Sequence, residues 1–282
     1  MKIRVSRGRV VTGVGAILVI AGAVAVLRSS VGAALTKSKA GFVPVATDAR
    51  VVFEPGAEAM ALQVAAFLDT AIATVEAGNG VPFKEPFTVY VCATQKSLNE
   101  FMALPPGAPI RGTVLFGDVF LAPSAFDWRG EDLHRESLMH EMSHLNLRQN
   151  LGFMAHRGEI PPWFNEALAD LVSGVGGEGI PRDGAVRAIL EGPALRPDST
   201  GNLWSLARAG NYGLPGPMLH AQSTMFIKYL RDRDPEGFST FLLRVHREHA
   251  FARPFRDQFD GSVEELWASF AETLRAEEAA AF

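Results

Sequence analysis

The chain has 282 residues, of which 48% are hydrophobic and 21% charged, and its formal net charge is −4. A chain of this length can bury a sizeable core, and the composition is that of an ordinary globular protein. The slightly acidic balance offers no basic field for a phosphate backbone, so we expect no nucleic-acid partner.

Residues 1–30 differ from the rest. Four basic residues precede an uncharged run at positions 10–27: Lys2, Arg4, Arg7 and Arg9. Basic residues before an apolar run are typical of an export signal, and at about 1.5 Å per residue the run just reaches across a hydrocarbon core about 30 Å thick. We interpret it as an uncleaved signal anchor that leaves the body of the chain outside the membrane. The alternative is a cleaved signal peptide and a secreted or periplasmic protein.

The small and polar residues at 31–47 predict a tether, and the domain is predicted to span 48–282. The predicted strands cover residues 50–53, 87–91, 112–116 and 119–122, and the predicted helices between them cover 60–75 and 96–102. From residue 133 onward the pattern is helical, at 133–150, 162–172, 184–190, 220–231, 238–249 and 264–278. The sequence therefore predicts an α+β fold, with a mixed sheet lobe at about 48–132 and a mainly helical lobe at about 133–282.

His140 and His144 belong to an H-E-x-x-H sequence, in a stretch without Pro or Gly that favours a helix. Residues four apart share one face of a helix, so the two imidazoles can meet at one ion. Glu141 lies beside the first histidine, where it can take a proton from a zinc-bound water without filling a coordination position. Two histidines on a surface helix would give the same sequence, so the motif alone does not distinguish a zinc site from such a helix.

A second predicted helix opens at Pro162 and carries Glu166 and Asp170 one turn apart. Zinc held by two histidines needs a third protein ligand, which Glu166 supplies, and Asp170 can then accept a hydrogen bond from the outer nitrogen of a ligating histidine. The alternative is a solvated helix face. Trp163 and Leu168 favour a packed helix instead.

The combined pattern, His140-Glu-x-x-His144 followed by Trp163-x-x-Glu166-x-x-x-Asp170, resembles the gluzincin metallopeptidases, in particular the peptidase MA-like bacterial proteins. The resemblance implies a zincin-like fold built around an active-site helix. It also implies a role for five residues: His140, His144 and Glu166 as Zn²⁺ ligands, Glu141 as general base, and Asp170 as partner of a ligating histidine. The specific motifs cover residues 137–171, within a looser likeness over 86–245.

The chain departs from the family pattern in three places. The 21 residues between His144 and Glu166 are more than the aminopeptidase branch usually has, and no Gly-x-Met-x-Asn segment occurs. Asn165 stands where glycine is common, which concerns the fine geometry of the site. An endopeptidase is therefore expected rather than an aminopeptidase.

The resemblance also implies an oxyanion donor, usually Tyr or His, on a later helix. His220 precedes Ala-Gln-Ser and takes the place where a Tyr commonly stands, and Tyr212 is the alternative. The stretch 111–122 resembles the sheet edge above zinc in these enzymes. An extended peptide can pair with such an edge by strand addition.

These features predict zinc-dependent hydrolysis of peptide bonds in a peptide or protein substrate, in a single-pass protein of the cell membrane whose domain is extracytoplasmic. Two alternatives remain open. One is a non-catalytic zinc domain that binds a peptide or an envelope partner; the other is a metal-free interaction protein in which the motif is accidental. Zinc content and turnover distinguish the three.

Overall fold

The computed structural model describes residues 36–126, 133–174, 180–202 and 209–280, together with Gly32 and Ala34. The strands are β1 (Val43–Val45), β2 (Asp48–Phe53), β3 (Val89–Val91), β4 (Gly112–Leu115) and β5 (Asp118–Leu121). The helices are α1 (Glu58–Asn79), α2 (Gln95–Phe101), α3 (Leu133–Gly158), α4 (Pro162–Ser173), α5 (Arg182–Glu191), α6 (Gly216–Arg233), α7 (Pro235–Glu248), α8 (Ala252–Phe259) and α9 (Val263–Ala280). Short 3₁₀ turns occur at Pro123–Phe126 and Ala209–Tyr212.

The five strands form one mixed sheet in the order β1-β2-β3-β5-β4. The three central strands β2, β3 and β5 run parallel, while β1 and β4 are antiparallel to their neighbours. Strand β4 is therefore an edge. Among the described residues beyond β5 every regular element is helical, so the predicted α+β fold, with a mixed sheet followed by a helical part, is confirmed.

Helix α3 lies between two apolar cores. Its residues Leu138, Met142 and Leu145 pack with the sheet and α1. Farther along the same helix, Leu147 and Leu151 pack among the aromatic side chains of the helical lobe. Burial on both sides fixes the helix firmly, because each side contributes its own apolar contacts.

Helices α4 and α6 pack against each other, and α4 also packs against α3. Both helices begin after a proline in extended conformation, Pro161 for α4 and Pro215 for α6, and carry a further proline in the first turn, where the missing N–H has no partner to lose. Helix α4 ends at Gly174, whose φ of 82° is the left-handed conformation that glycine adopts without strain. These signals determine where α4 and α6 begin and where α4 ends.

The segment at 31–47 was predicted to be a tether, but its described part is folded onto the sheet. Strand β1 pairs with β2 inside this segment. The ammonium group of Lys37 lies 4.6 Å from the ring centroid of Phe101, and that of Lys39 lies 4.5 Å from the ring centroid of Tyr90. The domain therefore begins earlier than the predicted residue 48, because contacts with rings distant in sequence hold this segment.

Helix α1 is long and apolar enough to cross a membrane by length and composition. In the fold it is a core helix: Val64, Leu68 and Val75 are fully buried against the sheet and α3. The predicted signal anchor at 1–30 lies outside the described residues.

Candidate metal centre

Three side chains from two helices converge on one point. His140 Nε2 and His144 Nε2, both from α3, lie 3.0 Å apart. Glu166 Oε2, from α4, lies 3.4 Å from the first nitrogen and 3.5 Å from the second. The group of His140, His144 and Glu166 can hold a metal ion.

The spacing of these atoms fits a small tetrahedral ion. Two ligand atoms that each lie about 2.0–2.1 Å from a tetrahedral zinc ion are roughly 3.4 Å apart. The carboxylate distances agree with this value, and the nitrogen pair at 3.0 Å is slightly closer. If the two neutral rings carry their protons on Nδ1, both Nε2 atoms and the carboxylate oxygen are acceptors, and a cation between them would satisfy all three.

Asp170 connects the metal-binding group to α6. Its Oδ1 lies 3.0 Å from His140 Nδ1, and its Oδ2 lies 2.8 Å from His220 Nδ1 and 3.0 Å from Thr224 Oγ1. The carboxylate is only 2% exposed. Because a carboxylate accepts from the outer nitrogen of His140, the inner nitrogen Nε2 is left to face the metal site, as the sequence predicts.

His220 is brought to the same place by α6. Its Nε2 lies 3.9 Å from Glu166 Oε2, and its ring centroid lies 6.0 Å from that of His140. Burial alone would lower the pKa of His220, but the hydrogen bond to Asp170 and the negative charges of Asp170 and Glu166 together outweigh it and raise the pKa. A protonated ring donates from both nitrogens, so His220 can bond Asp170 and a ligand at once.

Glu141 lies under the edge strand of the sheet. A Cβ placed on Gly112, the first residue of β4, would be 2.8 Å from Glu141 Cγ and 3.1 Å from the carbonyl oxygen of Phe120. Only a residue without a side chain lets the strand pass this close. Sequence reasoning missed the role of Gly112, since nothing in the sequence shows which residue covers Glu141.

The charges of the cluster depend on each other. Burial alone would lower the pKa of His140, but its contacts with Asp170 and Glu166 raise the pKa well above the ordinary value. Burial alone would raise the pKa of Glu166, but the neighbouring imidazoles hold it well below the ordinary value. The pKa of Glu141 is raised, because removal from solvent outweighs the two histidines. Glu166 is thus ionised, and Glu141 is the more basic of the two carboxylates.

His144 and Asn165 show two further details of the site. His144 Nδ1 is buried and has no hydrogen-bond partner among the described residues. Asn165, which replaces the common glycine, contacts His156, with Oδ1 3.3 Å from Nε2. Burial lowers the pKa of His156 to about 4, so this ring is neutral at ordinary pH. A partner for His156 could not be chosen from the sequence, because the pair spans two helices.

Tyr212 is not joined to this cluster. Its hydroxyl donates to Asp198 Oδ1 at 3.0 Å and accepts from the backbone N–H of Trp163 at 3.3 Å. The bond to Trp163 fastens the turn at Ala209–Tyr212 to the start of α4, and the bond to Asp198 fastens it to the loop that follows α5. Of the two predicted oxyanion donors, the structure places His220 in the site and engages Tyr212 elsewhere.

The opposite face of α3 carries a second polar group. Asn146 Nδ2 donates to Val81 O, and Asn146 Oδ1 accepts from Asn79 Nδ2. Ser143 Oγ donates to Asn79 Oδ1, and Asn150 Nδ2 donates to the carbonyl of the residue after Val81. Their hydrogen bonds join α3 to the end of α1 and hold the histidine-bearing helix in place.

Comparison with family models finds no match, and comparison with curated proteins finds none either. The interpretation of the site therefore depends on its residues and their geometry.

Proposed function

We propose that this chain is a zinc-dependent endopeptidase of zincin-like fold, held on the outer side of a cell membrane by its N-terminal segment. The observation that carries the proposal is the convergence of His140, His144 and Glu166, with Glu141 beside them. Two imidazole nitrogens and one carboxylate oxygen are a donor set that zinc takes in catalytic sites. A purely structural zinc site would not need the additional carboxylate of Glu141.

When bound by these three residues, zinc would lower the pKa of a water molecule toward about 7 and polarise a peptide carbonyl. Glu141 takes the proton from the attacking water and passes it to the leaving amine. Its raised pKa suits a group that has to accept and return a proton near neutral pH.

His220 is the proposed donor to the oxyanion that develops on the substrate carbonyl. Its Nδ1 is held by Asp170, which leaves Nε2, 3.9 Å from Glu166 Oε2, as the nitrogen on the side of the cluster. Removal of one such donor lowers kcat by about 10²–10³-fold in enzymes of this general type. Asp170 positions both His140 and His220 but contacts no reacting atom.

The free edge of β4 is suited to binding an extended peptide substrate. The carbonyl of Arg111 accepts from the N–H of Ala122, so alternate residues along β4 turn their backbone groups toward β5. The intervening residues Gly112 and Val114 turn theirs to the outer edge. An extended peptide can pair there as an added strand, which places its carbonyl beside Glu141. Such a site accepts the middle of a chain, as an endopeptidase requires.

The proposal is tested by metal content and turnover of the full chain in detergent, measured for the wild type and three variants. His144→Ala and Glu166→Ala should lose stoichiometric zinc, because each removes a ligand. Glu141→Gln should keep the zinc but cleave an unfolded protein such as β-casein at least about 10²-fold more slowly. The control is His249, an exposed residue at the end of α7. His249→Ala should keep both zinc and activity.

Two outcomes oppose the proposal. A chain that takes up no zinc when supplied with it, or keeps it in both ligand variants, has no site of this kind. A chain that holds zinc through these ligands but does not cleave any extended substrate is a zinc-containing binding domain.

A further inference from the structure

Two lysines of the predicted tether contact α2 and the hairpin formed by β4 and β5. Lys37 Nζ lies 2.6 Å from Glu100 Oε2 on α2, and Lys39 Nζ lies 2.8 Å from Asp118 Oδ2 at the start of β5. Both lysines also lie over aromatic rings of the sheet lobe. These contacts hold Lys37 and Lys39 against the sheet lobe.

The remaining connection is short. Nine residues lie between Leu27, the last of the apolar run, and Lys37, and a fully extended chain covers at most roughly 35 Å over this distance. The hydroxyl of Thr36 donates to the carbonyl four residues earlier, a local bond that makes the reach shorter still. A domain of about 250 residues is roughly 45 Å across. If the apolar run lies in a membrane, the face that carries Lys37 and Lys39 lies within roughly 35 Å of that membrane.

Phe116 projects from the same face, at the tip of the hairpin. Its side chain is 61% exposed, and Lys39 Nζ lies 5.9 Å from its ring centroid. Its φ of 52° lies in the left-handed region, which is unfavourable for a bulky residue in a two-residue turn. An exposed aromatic ring beside a lysine is the combination that favours the headgroup level of a bilayer.

We propose that the hairpin tip, with Phe116 and Lys39, rests in the surface of the bilayer that holds the N-terminal segment, so that the adjoining edge of β4 takes polypeptide segments close to that membrane. Both halves of this inference rest on the proposed function, the bilayer contact on the membrane anchor and the substrate class on the peptidase. At about 3.3 Å per residue, Phe116 lies roughly 13 Å along β4 from Gly112, which covers Glu141. The proposed scissile position is therefore only a few residues away from the bilayer surface.

The bilayer contact is tested by a depth measurement that needs no catalysis. Phe116→Cys in the full chain is labelled with a nitroxide and reconstituted into vesicles of phosphatidylethanolamine and phosphatidylglycerol. The native Cys92 does not compete for the label, because it is fully buried and burial raises its pKa to about 12. The matched control is Phe153→Cys in the helical lobe: Phe153 is 60% exposed and also has a cation 5.9 Å from its ring.

The label at position 116 should be accessible to a lipid-soluble relaxant and shielded from a water-soluble one, whereas the label at position 153 should show the reverse. Equal accessibility to the water-soluble relaxant at both positions would overturn the bilayer contact. So would equal lipid accessibility, because it would mean non-specific adsorption of the domain.

The substrate class is tested on the same vesicles with one peptide sequence in two forms, free in solution and attached to a lipid by a short spacer. The attached form should be cleaved at least about 10-fold faster at equal total concentration, and lengthening the spacer beyond the reach of the hairpin should not improve this. Equal rates for both forms would overturn the substrate class. Cleavage of neither form would refute the proposed function and with it the substrate class, and the label would still decide the bilayer contact.

Discussion

Helix α3 carries polar residues on two faces, and only one face is saturated with hydrogen bonds. On the face toward α1, the amide of Asn146 both donates and accepts. Its partners are Asn79, at the end of α1, and Val81, which follows shortly after. On the other face, the Nε2 atoms of His140 and His144 approach each other at 3.0 Å, and His144 Nδ1 has no partner within the described part of the chain. Saturated polar groups hold the fold together, whereas unsaturated groups that converge are arranged for a ligand.

The sharpest test of this contrast places the same side chain on either face. Asn146→Leu should lower the free energy of unfolding of the metal-free chain by about 3 kcal/mol, because it leaves several buried polar groups without partners. His144→Leu should change that free energy little, while it abolishes zinc binding. Urea unfolding and metal content measure the two effects. Equal destabilisation by both variants would contradict the distinction between the faces.

The next effect concerns the residue that connects the ligand face to α6. Asp170→Asn should weaken zinc binding by about 10–100-fold, equivalent to roughly 1.4–2.7 kcal/mol, because His140 loses the carboxylate that orients it. Competition with a chelator measures the affinity. Asp198→Asn is the control, since Asp198 bonds Tyr212 and not the cluster. A similar loss of affinity in both variants would mean that the change acts through general loosening of the helical lobe.

The titratable residue His246 lies beside the saturated face, and its Nε2 donates to Asn79 O at 3.2 Å. Burial lowers the pKa of His246 from 6.5 to about 4, so the unfolded chain binds a proton that the folded chain does not. Stability therefore falls as the pH decreases from 6.5 toward 4, by roughly 1.5 kcal/mol between pH 6.5 and pH 5. His246→Gln keeps a donor for Asn79 and should remove this part of the slope in urea unfolding. An unchanged slope would show that His246 does not carry it.

The smallest expected effect concerns the edge strand over the ligand face. Gly112→Ala should lower kcat by about 10-fold, because the added methyl group displaces Glu141, and zinc content should not change. Gly107→Ala adds a methyl group in open space and should leave both unchanged. A loss of zinc in Gly112→Ala would mean that the added methyl group displaces the zinc ligands instead of Glu141.

Spacing along the chain was enough to predict which side chains converge into a group that can hold a metal ion. Residues four apart on α3 and on α4 share a face whatever the rest of the fold does, so His140, His144, Glu166 and Asp170 could be chosen from the sequence. The strands β2 to β5 were predicted within a few residues, since each is a short apolar run between turn residues. Zinc itself, peptide hydrolysis and the signal anchor remain predictions.

The parts that were missed depend on contacts between distant residues. Strand β1 and the two lysines before it are held by partners up to 79 positions away, which no local pattern records. Helix α8 was missed because Pro254 is a helix breaker in most positions, but here it lies in the first turn, where proline is tolerated. The links His156 to Asn165 and His246 to Asn79 also appear only after folding.

Asp170 has a consequence for how the site can move. His220 and Thr224, one turn apart on α6, both bond the same oxygen of this buried carboxylate. Two attachments on one face prevent α6 from rotating about its axis relative to α4 unless both bonds break. The wall of the site formed by α4 and α6 is therefore a fixed frame, and any opening of the site has to come from other segments.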